Sequence, residues 1–84
     1  MEEIKIKIDG IEKVKSFIKI INKYPFDAEI RAGRYIIDAK SIMGVFSIDI
    51  TNAVRLYIDS DDKNSIDRLK TELKKINVLA NEEE

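Results

Sequence analysis

"KSIMGVFSIDI", residues Lys40 to Ile50, is an apolar run opened by a serine and interrupted by a glycine. It is shorter than an ordinary helix, and its apolar positions do not alternate as those of a half-buried strand would. With Ser41 as an N-cap, the residues from Ile42 onward make one or two helical turns. At about 100° per residue, Ile42, Met43 and Phe46 share one arc, and Val45 and Ile48 fall roughly opposite. A sheet covers only one of these arcs. The other leaves Ile42, Met43 and Phe46 as a patch of the kind that marks interaction surfaces, with methionine suited to adaptable contacts. Short apolar helices are also often plain core, and a serine before a helix is usually just a cap. Periodicity alone leaves both readings open. Gly44, which costs a helix about 1 kcal/mol, suggests a close approach of backbones.

Working outward, Ile4, Ile6 and Ile8 alternate with Lys5 and Lys7, a strand with one buried face that ends at Asp9-Gly10. Ile11, Val14, Ile18 and Ile21 recur at spacings of three and four, with Phe17, Ile20 and Tyr24 widening the stripe. That is an amphipathic helix, which Pro25 stops. Ala28, Ile30 and Ala32 alternate, Gly33-Arg34 reads as a turn, and "YIIDA" resumes an extended pattern, so a hairpin is expected. Val54, Leu56 and Ile58 form a fourth strand. The acidic cluster Asp59 to Asp62 reads as the cap of a second long helix carrying Ile66, Leu69, Leu73 and Ile76. Once the residues from Ile42 onward are read as a short helix, the order is β-α-β-β-α-β-α. The fold class is α+β, a two-layer open-faced sandwich with a four-stranded antiparallel sheet and the helices on one face. Element order alone does not separate it from ferredoxin-like folds.

The chain has 84 residues, enough for one domain (residues 1–80) and a short acidic tail at 81–84. At that size about 60% of the unfolded surface is buried, which leaves little volume for a deep active site. Fifteen Lys and Arg are balanced by sixteen acids, a net charge of −1, and the basic residues are scattered. No dense positive stripe is present, so nucleic acid is not an expected partner, even with Tyr35 and Tyr57 on strands. There is no cysteine and no histidine. Neither a signal peptide nor a run of about 20 apolar residues is evident, so a cytoplasmic location and no membrane contact are expected. Asp59, Asp61 and Asp62 lack the spacing of a calcium loop, and capping accounts for them, so no metal or cofactor is expected. No phosphate-binding glycine motif occurs either, and no enzyme is visible.

"AKSIMGVFSI", Ala39 to Ile48, resembles the signature around the regulatory serine of HPr, the phosphocarrier of the bacterial sugar phosphotransferase system. "KYPFDAEI", Lys23 to Ile30, resembles the same family where its first helix gives way to its second strand. Length and element order agree. The resemblance implies the HPr fold, a partner-docking patch at Ile42, Met43 and Phe46 with Lys40 beside it, and Val45 and Ile48 facing the core. It also implies that Ser41 matches the serine that a dedicated kinase phosphorylates. A phosphate there would place about two negative charges at the edge of the apolar patch, next to the N–H groups that open the helix.

The same resemblance exposes a loss. The family's carrier histidine opens the first helix in a Gly-Ile-His-Ala-Arg-Pro setting, and the corresponding stretch here is "DGIEKVK", Asp9 to Lys15. Aligning Gly10-Ile11 puts Glu12 at the histidine and Val14 at the arginine. Counting back without gaps from Ser41 puts Gly10 at the histidine. Neither residue offers an imidazole nucleophile. The expectation is therefore a non-enzymatic regulatory or adaptor module, with a phosphotransferase-type or regulatory protein as partner, among them an HPr kinase, and a monomer or weak dimer as the assembly. The alternatives are a ferredoxin-like domain that binds a small molecule and an oligomerisation module.

Overall fold

A computed structural model describes residues 2–48 and 52–80. The acidic tail at 81–84 lies outside the described residues, as do Asp49 and Ile50 of the opening segment. The elements are β1 (Glu2–Ile6), α1 (Ile11–Ile21), β2 (Asp27–Ala32), β3 (Tyr35–Asp38), α2 (Ile42–Phe46), β4 (Val54–Asp59) and α3 (Lys63–Lys75). The four strands form an antiparallel sheet in the order β1-β4-β2-β3. The last strand sits in the interior, between β1 and β2. Apolar alternation puts Ile4, Ile6, Ala28, Ile30, Val54, Leu56 and Ile58 on one buried face, and these pack with Val14, Phe17, Ile21, Val45, Ile66, Leu69 and Leu73 of the helices.

The opposite face is open and charged. Register sets Lys5 beside Arg55 and Arg55 beside Arg31. Anions sit among them: Arg55 pairs with Glu3, and Arg31 pairs with Glu29 at 2.7 Å while lying 4.2 Å above the Tyr57 ring.

The hairpin between β2 and β3 turns on Gly33-Arg34, with Ala32 paired to Tyr35. Gly33 has φ +62°, the left-handed value that a two-residue turn with glycine in its first central position requires. The β1 edge of the sheet is closed by the chain that follows α3. Asn77, at φ 65°, reverses the chain, and Val78 N–H donates to the Leu73 carbonyl at 3.1 Å. Lys7 N–H then donates to the Val78 carbonyl at 2.8 Å and Ala80 N–H to the Lys5 carbonyl at 3.0 Å.

Three local expectations change. The first helix ends at Ile21, not at Pro25, because Asn22 caps it, its side-chain amide donating to the Ile18 carbonyl at 2.9 Å. Tyr24 is buried but lies past the helix, stacked on Phe26 with ring centroids 5.2 Å apart. Ile11, expected in the apolar stripe, is 59% exposed, since it opens the helix ahead of Val14, the first of its residues to be buried.

Candidate functional site

The segment from Asp38 to Ile48 is built by local polar contacts. Ser41 N–H donates to the Asp38 carbonyl at 3.1 Å, and Lys40 N–H to the Asp38 carboxylate at 2.9 Å, which turns the chain out of β3. Ser41 is extended (φ −94°, ψ 114°), and its Oγ accepts from Gly44 N–H at 3.1 Å, an N-cap. At the other end the Ser47 hydroxyl and N–H both donate to the Gly44 carbonyl, at 2.6 Å and 3.1 Å. The close backbone approach that Gly44 suggests is not found. The atoms nearest to a Cβ there would be those of the Ser41 side chain, at 3.4 Å and 3.5 Å, and the Asp38 carbonyl oxygen at 3.7 Å, all ordinary contacts. The glycine instead keeps space open around the serine.

The two arcs separate. Val45 is fully buried and Ile48 packs against the core, while Ile42 is 39%, Met43 75% and Phe46 40% exposed. Lys40, expected beside this patch, is half-buried and turns its ammonium toward the α1–β2 connection. Its ammonium donates to the Tyr24 carbonyl at 2.5 Å and lies 5.9 Å from the Phe26 ring, and its own carbonyl accepts from the Asn22 amide at 3.2 Å. These contacts tie the start of α2 to the α1–β2 connection, so Lys40 positions the helix. Periodicity gave no hint of this, because the partners, the Tyr24 carbonyl, the Asn22 side-chain amide and the Phe26 ring, are distant in sequence.

At the start of α1, Gly10 is the N-cap with φ 115° and no side-chain cap, and Glu12 lies exposed in the first turn. Val14, which the Gly10-Ile11 alignment sets at the family's arginine, is fully buried in the core. Lys13 pairs with Asp9 at 3.0 Å and donates to the Asn77 carbonyl at 3.3 Å. That hydrogen bond and charge hold the Asp9 carboxyl below its ordinary value.

A second polar cluster joins α3 to the end of α1. Glu72 accepts from Lys23 Nζ and from the Tyr24 hydroxyl, each at 2.5 Å. The hydrogen bond from Lys23, and after it the one from Tyr24, lowers the Glu72 pKa. Burial, with the Glu72 carboxylate adding to it, pushes Tyr24 up to about 12. Asp62 caps α3, accepting from Asn64 N–H, Ser65 N–H and the Ser65 hydroxyl. Among the described residues no group of three or more acidic, histidine or cysteine side chains is placed to hold a metal. No helix among them is long and apolar enough to cross a membrane. A surface depression of about 530 Å³ lies between the β2–β3 hairpin and the end of α2, lined also by Asn52, Ala53 and Val54.

No family model and no curated protein matches the sequence. Solved structures do. The chain superposes on HPr-C-His from Thermoanaerobacter tengcongensis with a TM-score of 0.67 and 23% identity, over 88% of this chain and 97% of that one. It superposes on a phosphocarrier protein HPr from Bacillus anthracis str. Ames with a TM-score of 0.67 and 19% identity, over 84% and 94%. The fold is that of HPr. The interior position of β4 and the closing helix α3 belong to this HPr-like sandwich, and the ferredoxin-like alternative loses its structural basis. Within the fold, the chain carries no histidine at any of its 84 positions.

Proposed function

We propose that the protein is a non-enzymatic, HPr-like regulatory or adaptor module related to the sugar phosphotransferase system, docking protein partners in the cytoplasm through α2. The observation that supports this is the division of one short helix. Val45 anchors it in the core, while Ile42, Met43 and Phe46 stay in solvent together. A monomeric domain gains nothing in stability by exposing three large apolar side chains side by side, and a partner that covers them removes that surface from water. With no imidazole to accept a phosphoryl group, binding takes the place of phosphate transfer.

Ser41 is the candidate switch, with an HPr kinase as the modifying partner. Its Oγ is the capping acceptor, and the absent side chain at Gly44 leaves room beside it. The macrodipole has a minor part here, because α2 has only five residues and few aligned peptide groups. The effect of a phosphate would be to set about two negative charges next to Ile42 and Met43.

Affinity capture from native cytosol, run with wild type and Phe46→Asp in parallel, tests the reading. Retention of a phosphotransferase-system or regulatory protein by wild type alone supports it. Equal retention by both proteins removes α2 as the docking element.

A further inference from the structure

The two edges of the sheet differ. β1 is covered by residues 78–80, whereas β3 has no strand on its outer side among the described residues. Tyr35 pairs with Ala32 across the turn, and Ala39 N–H reaches the Ala28 carbonyl at 3.0 Å. Backbone groups alternate in direction along a strand, so those of Tyr35, Ile37 and Ala39 point to β2 and those of Ile36 and Asp38 point away from it, the Asp38 carbonyl being already engaged by Ser41 N–H at 3.1 Å. Exposed edges are commonly blunted by lysine, proline or a bulge. β3, "YIID", has none of these in its unbroken register with β2, and it leaves Tyr35 67% and Ile36 62% exposed.

We infer that this edge pairs with the β3 edge of a second copy of the chain, antiparallel, across a two-fold axis through Ile36. Side chains opposite one another in such a pair lie on the same face, so the register fixes the contacts. With the axis at Ile36, Ile36 meets its own copy, with two outward hydrogen bonds exchanged between them. Tyr35 meets Ile37 of the other copy on the helix side, and Arg34 meets Asp38 twice, once at each end. Moving the axis to Tyr35 sets Arg34 against Ile36, and moving it to Ile37 sets Arg34 against Lys40. The Ile36 register alone of these three matches opposite charges. The Arg34 guanidinium forms no ion pair among the described residues, and the Asp38 carboxylate is exposed, holding only the Lys40 N–H. A strand of four residues covers less than the roughly 1,600 Å² of a standard interface, so the dimer depends on concentration.

Sedimentation equilibrium over a concentration series tests this on the full chain. Wild type is expected to dimerise as concentration rises. Ile36→Pro removes an outward N–H and none of the bonds to β2, so it is expected to be monomeric with its circular dichroism preserved. Arg34→Asp and Asp38→Lys are each expected to weaken self-association about tenfold or more, by opposing like charges at both ends. Mixed together, the two variants re-create both opposite pairs and should associate as tightly as wild type. Phe46→Asp should leave the dimer intact, which separates this contact from partner docking by α2. The inference is overturned by a wild type that stays monomeric at millimolar concentration, by a dimer that survives Ile36→Pro, by a mixture no tighter than its parts, or by loss of the dimer in Phe46→Asp.

Discussion

The Ser41 hydroxyl oxygen lies 3.1 Å from the Gly44 amide nitrogen that donates to it, and 3.4 Å from where a side chain on Gly44 would begin. The second distance is ordinary van der Waals contact. Gly44→Ala is therefore expected to keep the cap and to stabilise the unmodified domain by up to about 1 kcal/mol through helix propensity. Ser41→Ala should lose about 1 kcal/mol, and Ser41→Asp should be close to neutral, because aspartate caps as well as serine. Urea denaturation of the three variants checks these signs. Phosphorylation with ATP and an HPr kinase, mapped by mass spectrometry, should modify Ser41 and not Ser47, and it should be slowed in Gly44→Ala, where a methyl group occupies the space beside Oγ.

Neighbouring residues on α2 should respond in opposite ways. Val45 is fully buried, so Val45→Asp places a charge in the core without a partner and should cost several kcal/mol, enough to unfold a domain of this size. Phe46 is 40% exposed, so Phe46→Asp should change stability by less than about 1 kcal/mol while it abolishes partner capture. Thermal unfolding and capture, measured on the same preparations, distinguish a two-sided helix from one that is core all round.

Lys40 separates position from contact. Its ammonium holds the Tyr24 carbonyl, so Lys40→Met should destabilise the domain by roughly 1–2 kcal/mol through loss of a charged hydrogen bond. Partner affinity, measured well below the unfolding transition, should change less than it does for Phe46→Asp. A larger binding loss in Lys40→Met than in Phe46→Asp would return Lys40 to the docking surface.

The Lys23–Glu72–Tyr24 cluster makes stability depend on pH at both ends of the scale. Glu72 has a lowered pKa in the folded state, so its contribution is present above the ordinary glutamate range and is lost as pH falls through the folded value. Tyr24 is raised from 10.0 to about 12, so its contribution is complete below 10.0 and is lost as pH rises through about 12. Ultraviolet titration should show a tyrosine that ionises near 12 and disappears in Tyr24→Phe. Glu72→Gln should flatten the acid limb of the stability curve.

Phosphoenolpyruvate and enzyme I of the phosphotransferase system should yield no acid-labile phosphoprotein. The carrier histidine aligns with Gly10 in one alignment and with Glu12 in the other, and in the latter Val14, at the place of its arginine partner, is buried in the core. A stoichiometric phosphorylated species traced to Glu12 would overturn this expectation.

Much of the architecture was legible in the sequence because its signals are local and strongly periodic. Alternation in Ile4-Ile6-Ile8 and in Val54-Leu56-Ile58 placed two strands, and Gly33-Arg34 placed the hairpin turn. The angular reading of Ile42, Met43, Val45 and Phe46 assigned each to the correct side of α2, because a helix beside a sheet has only one dry arc. What stayed hidden depends on contacts between distant residues. Nothing in the order of elements says that β4 inserts between β1 and β2, that Lys40 reaches the Tyr24 carbonyl, or that Glu72 gathers Lys23 and Tyr24. Nor does spacing announce the surroundings of Gly44, which are the Ser41 side chain in the same turn and, at ordinary contact distance, the Asp38 carbonyl.

The seating of β1 between β4 and residues 78–80 also has a temporal meaning. Both neighbours of the first strand are made late: β4 begins at Val54, and the second flank arrives only at Val78. On the ribosome, α1 and the β2–β3 hairpin have their local partners as soon as they emerge. Strand β1, which with the residue pair after it carries isoleucines at 4, 6 and 8, must wait for residues 54–80 before its edges are satisfied. During synthesis this strand is the sticky part of the molecule, and the lysines at positions 5 and 7, set between those isoleucines, are well placed to keep nascent chains apart.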